Sequence, residues 1–221
     1  MLAVPSNDDD FLYISSGTWS LMGIERKTAD CSELSRKYNF TNEGGYDHRF
    51  RYLKNIMGLW MIQNVKRELE KYSYDDLCKL AEKSDCRSRV DVDSDYFLAP
   101  ENMIEAVKEF CRNSGQAVPE SAGDLAACIY HSLAESYARA AAQIEELTGK
   151  KYSRIHIVGG GSSDSYLNRL TAEYTGKEVH AGPKEATAIG NLAVQLLHCG
   201  EIENVESARN TIYKSFDVIK V

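Results

Sequence analysis

Arg154-Ile155-His156-Ile157-Val158-Gly159-Gly160-Gly161-Ser162-Ser163-Asp164-Ser165-Tyr166-Leu167 decides how the rest of the chain is read. An alternating, β-branched run climbs into three glycines, and Ser162, Ser163 and Asp164 then offer side-chain oxygens suited to capping the first turn of a helix. The reading is strand, bare turn, helix. Glycines at such a turn let the backbone take positive φ and let a flat or charged ligand reach the main chain without meeting a Cβ. The helix N-terminus adds unpaired N–H groups and a partial positive charge. A nucleotide suits this turn; the same glycines also make an ordinary tight βα corner, so other segments have to decide.

Working outward, Phe11-Leu12-Tyr13-Ile14-Ser15-Ser16-Gly17-Thr18-Trp19-Ser20-Leu21-Met22-Gly23-Ile24 places two strand-forming arms around Ser16-Gly17-Thr18 and reads as a β-hairpin. Its tip carries backbone N–H groups and the Thr18 hydroxyl, a set that can hold phosphate and that ordinary turns also use. Phe40 to Tyr46 reads as a polar, glycine-containing loop. Leu53, Ile56, Met57, Trp60, Met61 and Val65 then recur at helical spacing, which predicts one helix from about Arg51 to Lys71. On that helix Asn55 and Gln63, a little over two turns apart, project from broadly one side.

Further helices are predicted over 74–83, over 101–113 behind Pro100, and over 120–147 behind Pro119 with Gly149 as the stop. Asp91-Val92-Asp93-Ser94-Asp95 imitates the start of a calcium loop but has Tyr96 and Asn102 where glycine and glutamate belong, so it reads as an acidic turn. Beyond the triple glycine come a helix over 165–175 ending at Gly176, a strand over 178–181, and a helix over 185–198 ending at Gly200. This βαβα order makes the fold class α/β.

The 221 residues carry 43% hydrophobic side chains, enough for one large domain with its own core. Lys+Arg 26 against Asp+Glu 33 gives a net charge of −7, with the basic residues scattered, which argues against nucleic acid or an anionic membrane as partner. No apolar run approaches the ~20 residues of a membrane span, and the N-terminus is acidic at Asp8, Asp9 and Asp10, so a cytoplasmic location is expected. The six cysteines show no C-x-x-C pairing, which favours reduced, mostly buried thiols over a zinc site; Cys111 and Cys128 fall on successive predicted helices and are candidate neighbours.

No G-x-x-x-x-G-K-[ST], H-E-x-x-H or G-x-S-x-G occurs. A dinucleotide fingerprint fails because Asp164 stands where the third glycine belongs, and an oxidoreductase stays only as the weaker alternative.

Taken together, Tyr13 to Gly23, Thr41-Asn42-Glu43-Gly44-Gly45, Leu53 to Trp60, Ile155 to Gly161, and Ala181-Gly182-Pro183 with Glu185-Ala186 and Gly190-Asn191 resemble the C-terminal half of bacterial rhamnulokinases, sugar kinases of the FGGY type. The resemblance implies an actin-like, ribonuclease-H-like ATPase domain over residues 1–221, with a helical insertion at roughly 70–118 and without its first strand. It implies ATP-dependent phosphorylation of L-rhamnulose, with magnesium. Gly17 and Thr18 resemble the second phosphate loop and Gly160 and Gly161 the adenosine motif; Gln63 is implied to contact ATP and Asn55 to face the cleft near phosphates or sugar. A Gly161→Val change is accordingly expected to weaken ATP binding with little loss of fold.

The same resemblance places the catalytic aspartate upstream of Met1, and most sugar contacts in an N-terminal domain. The chain is therefore expected to bind nucleotide, to meet sugar only with that domain, and to be inactive alone. A sheet short of one strand would invite self-association or a partner chain. A non-catalytic interaction protein that keeps the fold is the alternative.

Overall fold

Strands β1 (Phe11–Ser16) and β2 (Trp19–Arg26) form the expected antiparallel hairpin, paired from Ser16↔Ser20 to Tyr13↔Gly23. The computed structural model describes residues 1–221 and extends this hairpin into a seven-stranded sheet in the order β3-β4-β2-β1-β5-β6-β7. The other strands are β3 (Thr41–Gly44), β4 (Phe50–Met57), β5 (Arg154–Val158), β6 (Glu178–Ala181) and β7 (Ile219–Lys220). β1, β5 and β6 are parallel and the remaining pairings antiparallel. The helices are α1 (Glu33–Lys37), α2 (Trp60–Leu69), α3 (Tyr74–Glu82), α4 (Met103–Asn113), α5 (Ala122–Thr148), α6 (Ser165–Thr175), α7 (Ala186–His198) and α8 (Val205–Ser215).

Alternation along the strands divides the core between the two faces of the sheet. Leu12, Ile14, Met22, Ile24, Ile56, Ile155 and Ile157 join the large cluster with α5, whose Leu125, Ile129, Leu133, Tyr137 and Ile144 are buried. Capping boxes at Ser73/Asp76 and Ser121/Asp124 open α3 and α5, and left-handed Gly149 and Gly176 close α5 and α6. Ser20 Oγ and Tyr137 Oη, 2.6 Å apart and buried, tie β2 to α5. On the opposite face Phe11, Tyr13, Leu53 and Val158 pack on Val4, while Leu2 and Ala3 meet Ala193 of α7 and Ala208 and Ile212 of α8. Of the thirteen residues of α7 only Ala193 is buried. No helix is long and apolar enough to cross a membrane. All six cysteines are free, and Cys111 of α4 and Cys128 of α5 meet through their thiols in the core, with Cys86 against the same sulfur.

Four expectations change. Residues 50–57 are strand, not the first half of a helix: Tyr52, Leu53, Ile56 and Met57 are buried in β4, and the helix begins only after Gly58. A Cβ on Gly58 would meet the Gly17 carbonyl oxygen at 2.8 Å and the Ser20 nitrogen at 2.7 Å, so the chain passes under the hairpin there with no room for a side chain. The loop read at 40–46 contains edge strand β3, paired with β4 from Thr41↔Leu53 to Gly44↔Phe50. The sheet also has no gap where a first strand is lacking: β1 is bonded to β2 on one side and β5 on the other. Lastly, α1, α8 and β7 have no counterpart in the sequence reading, because each is short or weakly periodic.

Candidate functional site

Two turns leave the same end of the sheet side by side. β1 runs out into the hairpin tip Gly17-Thr18, and its parallel partner β5 runs out into Gly159 and the tight turn Gly160–Ser163. Gly159 takes φ +91°, and a Cβ on it would lie 2.8 Å from the Ser16 carbonyl oxygen, so glycine is required twice over. Asp164 then caps α6, accepting the Leu167 N–H at 2.9 Å. The hairpin tip is held in turn by the start of α2, where the Leu59 N–H donates to the Gly17 carbonyl at 2.9 Å and the Trp60 N–H to the Thr18 carbonyl at 3.1 Å. One turn further along α2, the Thr18 hydroxyl donates to Gln63 Oε1 at 3.2 Å.

A cavity of about 840 Å³ lies against these turns, and Gly17, Thr18, Gln63, Gly160 and Gly161 all line it. Its apolar part comes from Leu59 and Ile62 of α2, Tyr74 of α3 and Tyr166 of α6. Tyr74, Tyr166, Lys184 and the α3 face are not singled out by the sequence. Tyr74 and Tyr166 sit at the first turns of amphipathic helices, and nothing local says that the two helices face each other across a gap. A smaller cavity of about 310 Å³, lined by Ser15, Trp19, Leu21, Glu185 and Thr187 among others, shares Gly17, Gly160 and Lys184 with the first.

The two motif glycines differ. Gly160 is exposed and a Cβ there meets nothing within 4 Å, whereas Gly161 is buried and its Cβ would fall 2.0 Å from Ser16 Oγ and 3.2 Å from a Leu59 methyl. The expectation that a side chain at 161 points at the ligand is therefore overturned. It points into β1.

Asn55 also departs from expectation. It stands exposed on β4 opposite Leu21, not on one helix with Gln63, and lines a separate recess with Trp19, Tyr38, Lys54 and Asp93. Trp19, 47% exposed, lines this recess and the smaller cavity alike and stands between them.

The charges around the large cavity are mixed. Arg169 of α6 pairs with Glu82 of α3 across its rim, while Lys79 and Lys184 have no carboxylate partner. Burial pushes the Asp164 carboxyl above the usual carboxylate range, partly offset by the Leu167 N–H, and the Cys78 thiol donates to it at 3.7 Å. Asp8, Asp9 and Asp10 sit at the opposite end of the sheet, where Asp8 pairs with Arg154, Asp9 with Lys150 and Asp10 with Ser153. The length of β1, about 20 Å at the usual rise, separates them from the glycine turns.

Comparison with known proteins gives a consistent picture. The profile of the FGGY family of carbohydrate kinases, C-terminal domain, matches residues 12–199. The chain is 48% identical over 219 residues to a rhamnulokinase of Oceanobacillus iheyensis, covering 99% of this chain and 46% of that protein. It is 43% identical over 220 residues to a rhamnulokinase of Bacillus subtilis, covering 99% of this chain and 45% of that protein. The chain thus spans about half the length of the curated relatives it matches. Among solved structures, ligand-bound xylulose kinase from Lactobacillus acidophilus superposes with TM-score 0.71 at 10% identity over 99% of this chain and 44% of that one. Plasmodium falciparum glycerol kinase with ADP superposes with TM-score 0.69 at 9% identity over 98% of this chain and 44% of that one. At such identities the likeness is one of fold.

Proposed function

The chain belongs to the FGGY family of carbohydrate kinases, in the part that forms the C-terminal domain, and from that premise we propose that it is the ATP-binding half of a kinase converting L-rhamnulose and ATP to L-rhamnulose 1-phosphate and ADP. The observation that carries the reading is that Gly17, Thr18, Gln63, Gly160 and Gly161, drawn from three distant segments, line one cavity. We read residues 70–118 as the helical insertion of this domain, with α3 supplying a wall of the nucleotide cavity.

Phosphoryl transfer asks the protein mainly for positioning and for charge stabilisation at the transferred group. The hairpin tip suits that task because α2 fixes both of its carbonyls, so the Gly17-Thr18 backbone and the Thr18 hydroxyl are preorganised before any ligand arrives. Tyr74 and Leu59 offer accessible apolar surface for a base, with buried Tyr166 behind it, and exposed Gly160 leaves the phosphate path open. Beyond Trp19, the recess around Asn55 is read as the sugar-facing side. Magnesium, when bound, neutralises phosphate charge and keeps mostly phosphate and water oxygens as ligands. No three His, Cys, Asp or Glu side chains converge to hold it, and no step is routed through it.

The general base is assigned to the half of the protein that the relatives have before this domain. General-base catalysis needs a group within hydrogen-bond reach of the attacking hydroxyl, and the Asp8–Asp10 cluster lies at the wrong end of β1. Titration of the chain with ATP and magnesium in a calorimeter, followed by a rhamnulose phosphorylation assay on the same sample, tests both parts. Binding without turnover is expected. Absence of binding overturns the nucleotide site, and turnover overturns the placement of the base.

A further inference from the structure

Lys184 lies in the loop between β6 and α7, and together with Gly17 and Gly160 it is common to the large cavity and the smaller one behind it. These three residues are the neck between the two spaces. The large cavity has its aromatic walls, Tyr74 and Tyr166, on the α3 and α6 side, so a nucleotide seated by its base there sends its phosphates toward the neck. Of these three only Lys184 is charged; it is exposed and forms no ion pair or side-chain hydrogen bond, while Glu185 beside it lines the smaller cavity alone. By contrast, Arg169 at the rim is neutralised by Glu82. The chain as a whole carries −7, which opposes a polyanion unless a cation is placed locally.

We propose that Lys184 is a binding residue for the polyphosphate of the nucleotide, its ammonium meeting phosphate oxygens at the neck opposite the Gly17-Thr18 tip. This rests on the reading of the large cavity as a nucleotide site. It goes beyond that reading by assigning the phosphate charge to a residue outside both glycine motifs. Lys184 is a point charge on a flexible stem, so its effect should follow ligand charge and salt rather than base identity.

The test compares wild type, Lys184→Gln and Lys184→Arg by calorimetry with ATP–magnesium, ADP and adenosine at two ionic strengths. Lys184→Gln is expected to weaken ATP–magnesium by about tenfold, with the loss shrinking at high salt and adenosine changing by less than about twofold. Lys184→Arg should stay within about threefold of wild type, since the charge is kept. Thermal midpoints should be equal across the three proteins, because the side chain is exposed and unpaired. If wild type binds ATP and Lys184→Gln binds it equally well, the Lys184 assignment is overturned while the nucleotide site stands. If wild type binds neither ATP nor adenosine, the nucleotide site falls and Lys184 with it.

Discussion

Thr18 Oγ1 donates to Gln63 Oε1 at 3.2 Å, joining the tip of the hairpin to the second turn of α2 on the wall of the cavity. The contact is exposed, so its net contribution to stability is small, but it orients both groups toward the same space. Thr18→Val keeps the shape and removes the hydroxyl. It is expected to weaken ATP binding by about five- to twentyfold, the worth of one or two hydrogen bonds, while the thermal midpoint stays put. Calorimetry and a thermal melt on the same preparation check this; an unchanged affinity removes Thr18 from the site.

The two glycines of the turn should separate binding from folding. Gly160→Val adds a side chain where a Cβ meets nothing within 4 Å, and is expected to obstruct the cavity without moving the thermal midpoint. Gly161→Ala drives a methyl to 2.0 Å from Ser16 Oγ and is expected to cost about 1–3 kcal/mol of stability as β1 and the turn are forced apart. Urea denaturation of both proteins, read beside nucleotide titration, distinguishes the two effects.

His156 gives stability a pH dependence. It lies buried on β5 between Phe11 and His180, neither ring nitrogen has a partner, and burial lowers its pKa from 6.5 to about 3. Between those values the unfolded chain takes up a proton at this residue and the folded chain does not. Stability is therefore full above pH 6.5 and falls as pH drops toward 3, by up to about 1.4 kcal/mol per pH unit. His156→Leu should flatten the profile between pH 6 and 4 in urea titrations. An identical slope in the variant would remove His156 as its source.

Tyr137→Phe deletes the hydroxyl that lies 2.6 Å from Ser20 Oγ and leaves that oxygen without a partner beneath the hairpin. A loss of about 1–3 kcal/mol is expected in urea denaturation. Replacing both, as Ser20→Ala with Tyr137→Phe, should cost less than the sum, since no buried polar atom is then stranded.

What the sequence made legible was local. The hairpin around Gly17, the strand and turn through Gly159, the Gly149 stop of α5 and the two ends of α6 each follow from neighbours a few residues apart. Residues 50–57 were not legible, because Leu53, Ile56, Met57, Trp60, Met61 and Val65 fit a helical stripe as well as a strand followed by a helix. The decisive fact, that Gly58 must slide beneath Trp19 and Ser20, is a contact between segments. The same limit hid the opposite orientations of Gly160 and Gly161 and the separation of Asn55 from Gln63. No place is left for the strand expected to be absent, because β1 is flanked by β2 and by a segment more than 130 residues away, a pairing that no local pattern announces.

That pairing has a consequence for how the protein is made. β1 is synthesised well before β5, the strand it is bonded to from Phe11↔Arg154 to Ser15↔Val158, which emerges only after α5 is complete. At ordinary rates of synthesis the interval is on the order of ten seconds, during which the hairpin has one bare, apolar edge in the middle of its future sheet. The nucleotide cavity, needing both turns, has no partial form to select for meanwhile. A translational pause placed before residue 154 should lengthen exposure of that edge and raise chaperone dependence, whereas the same pause after Leu167 should not.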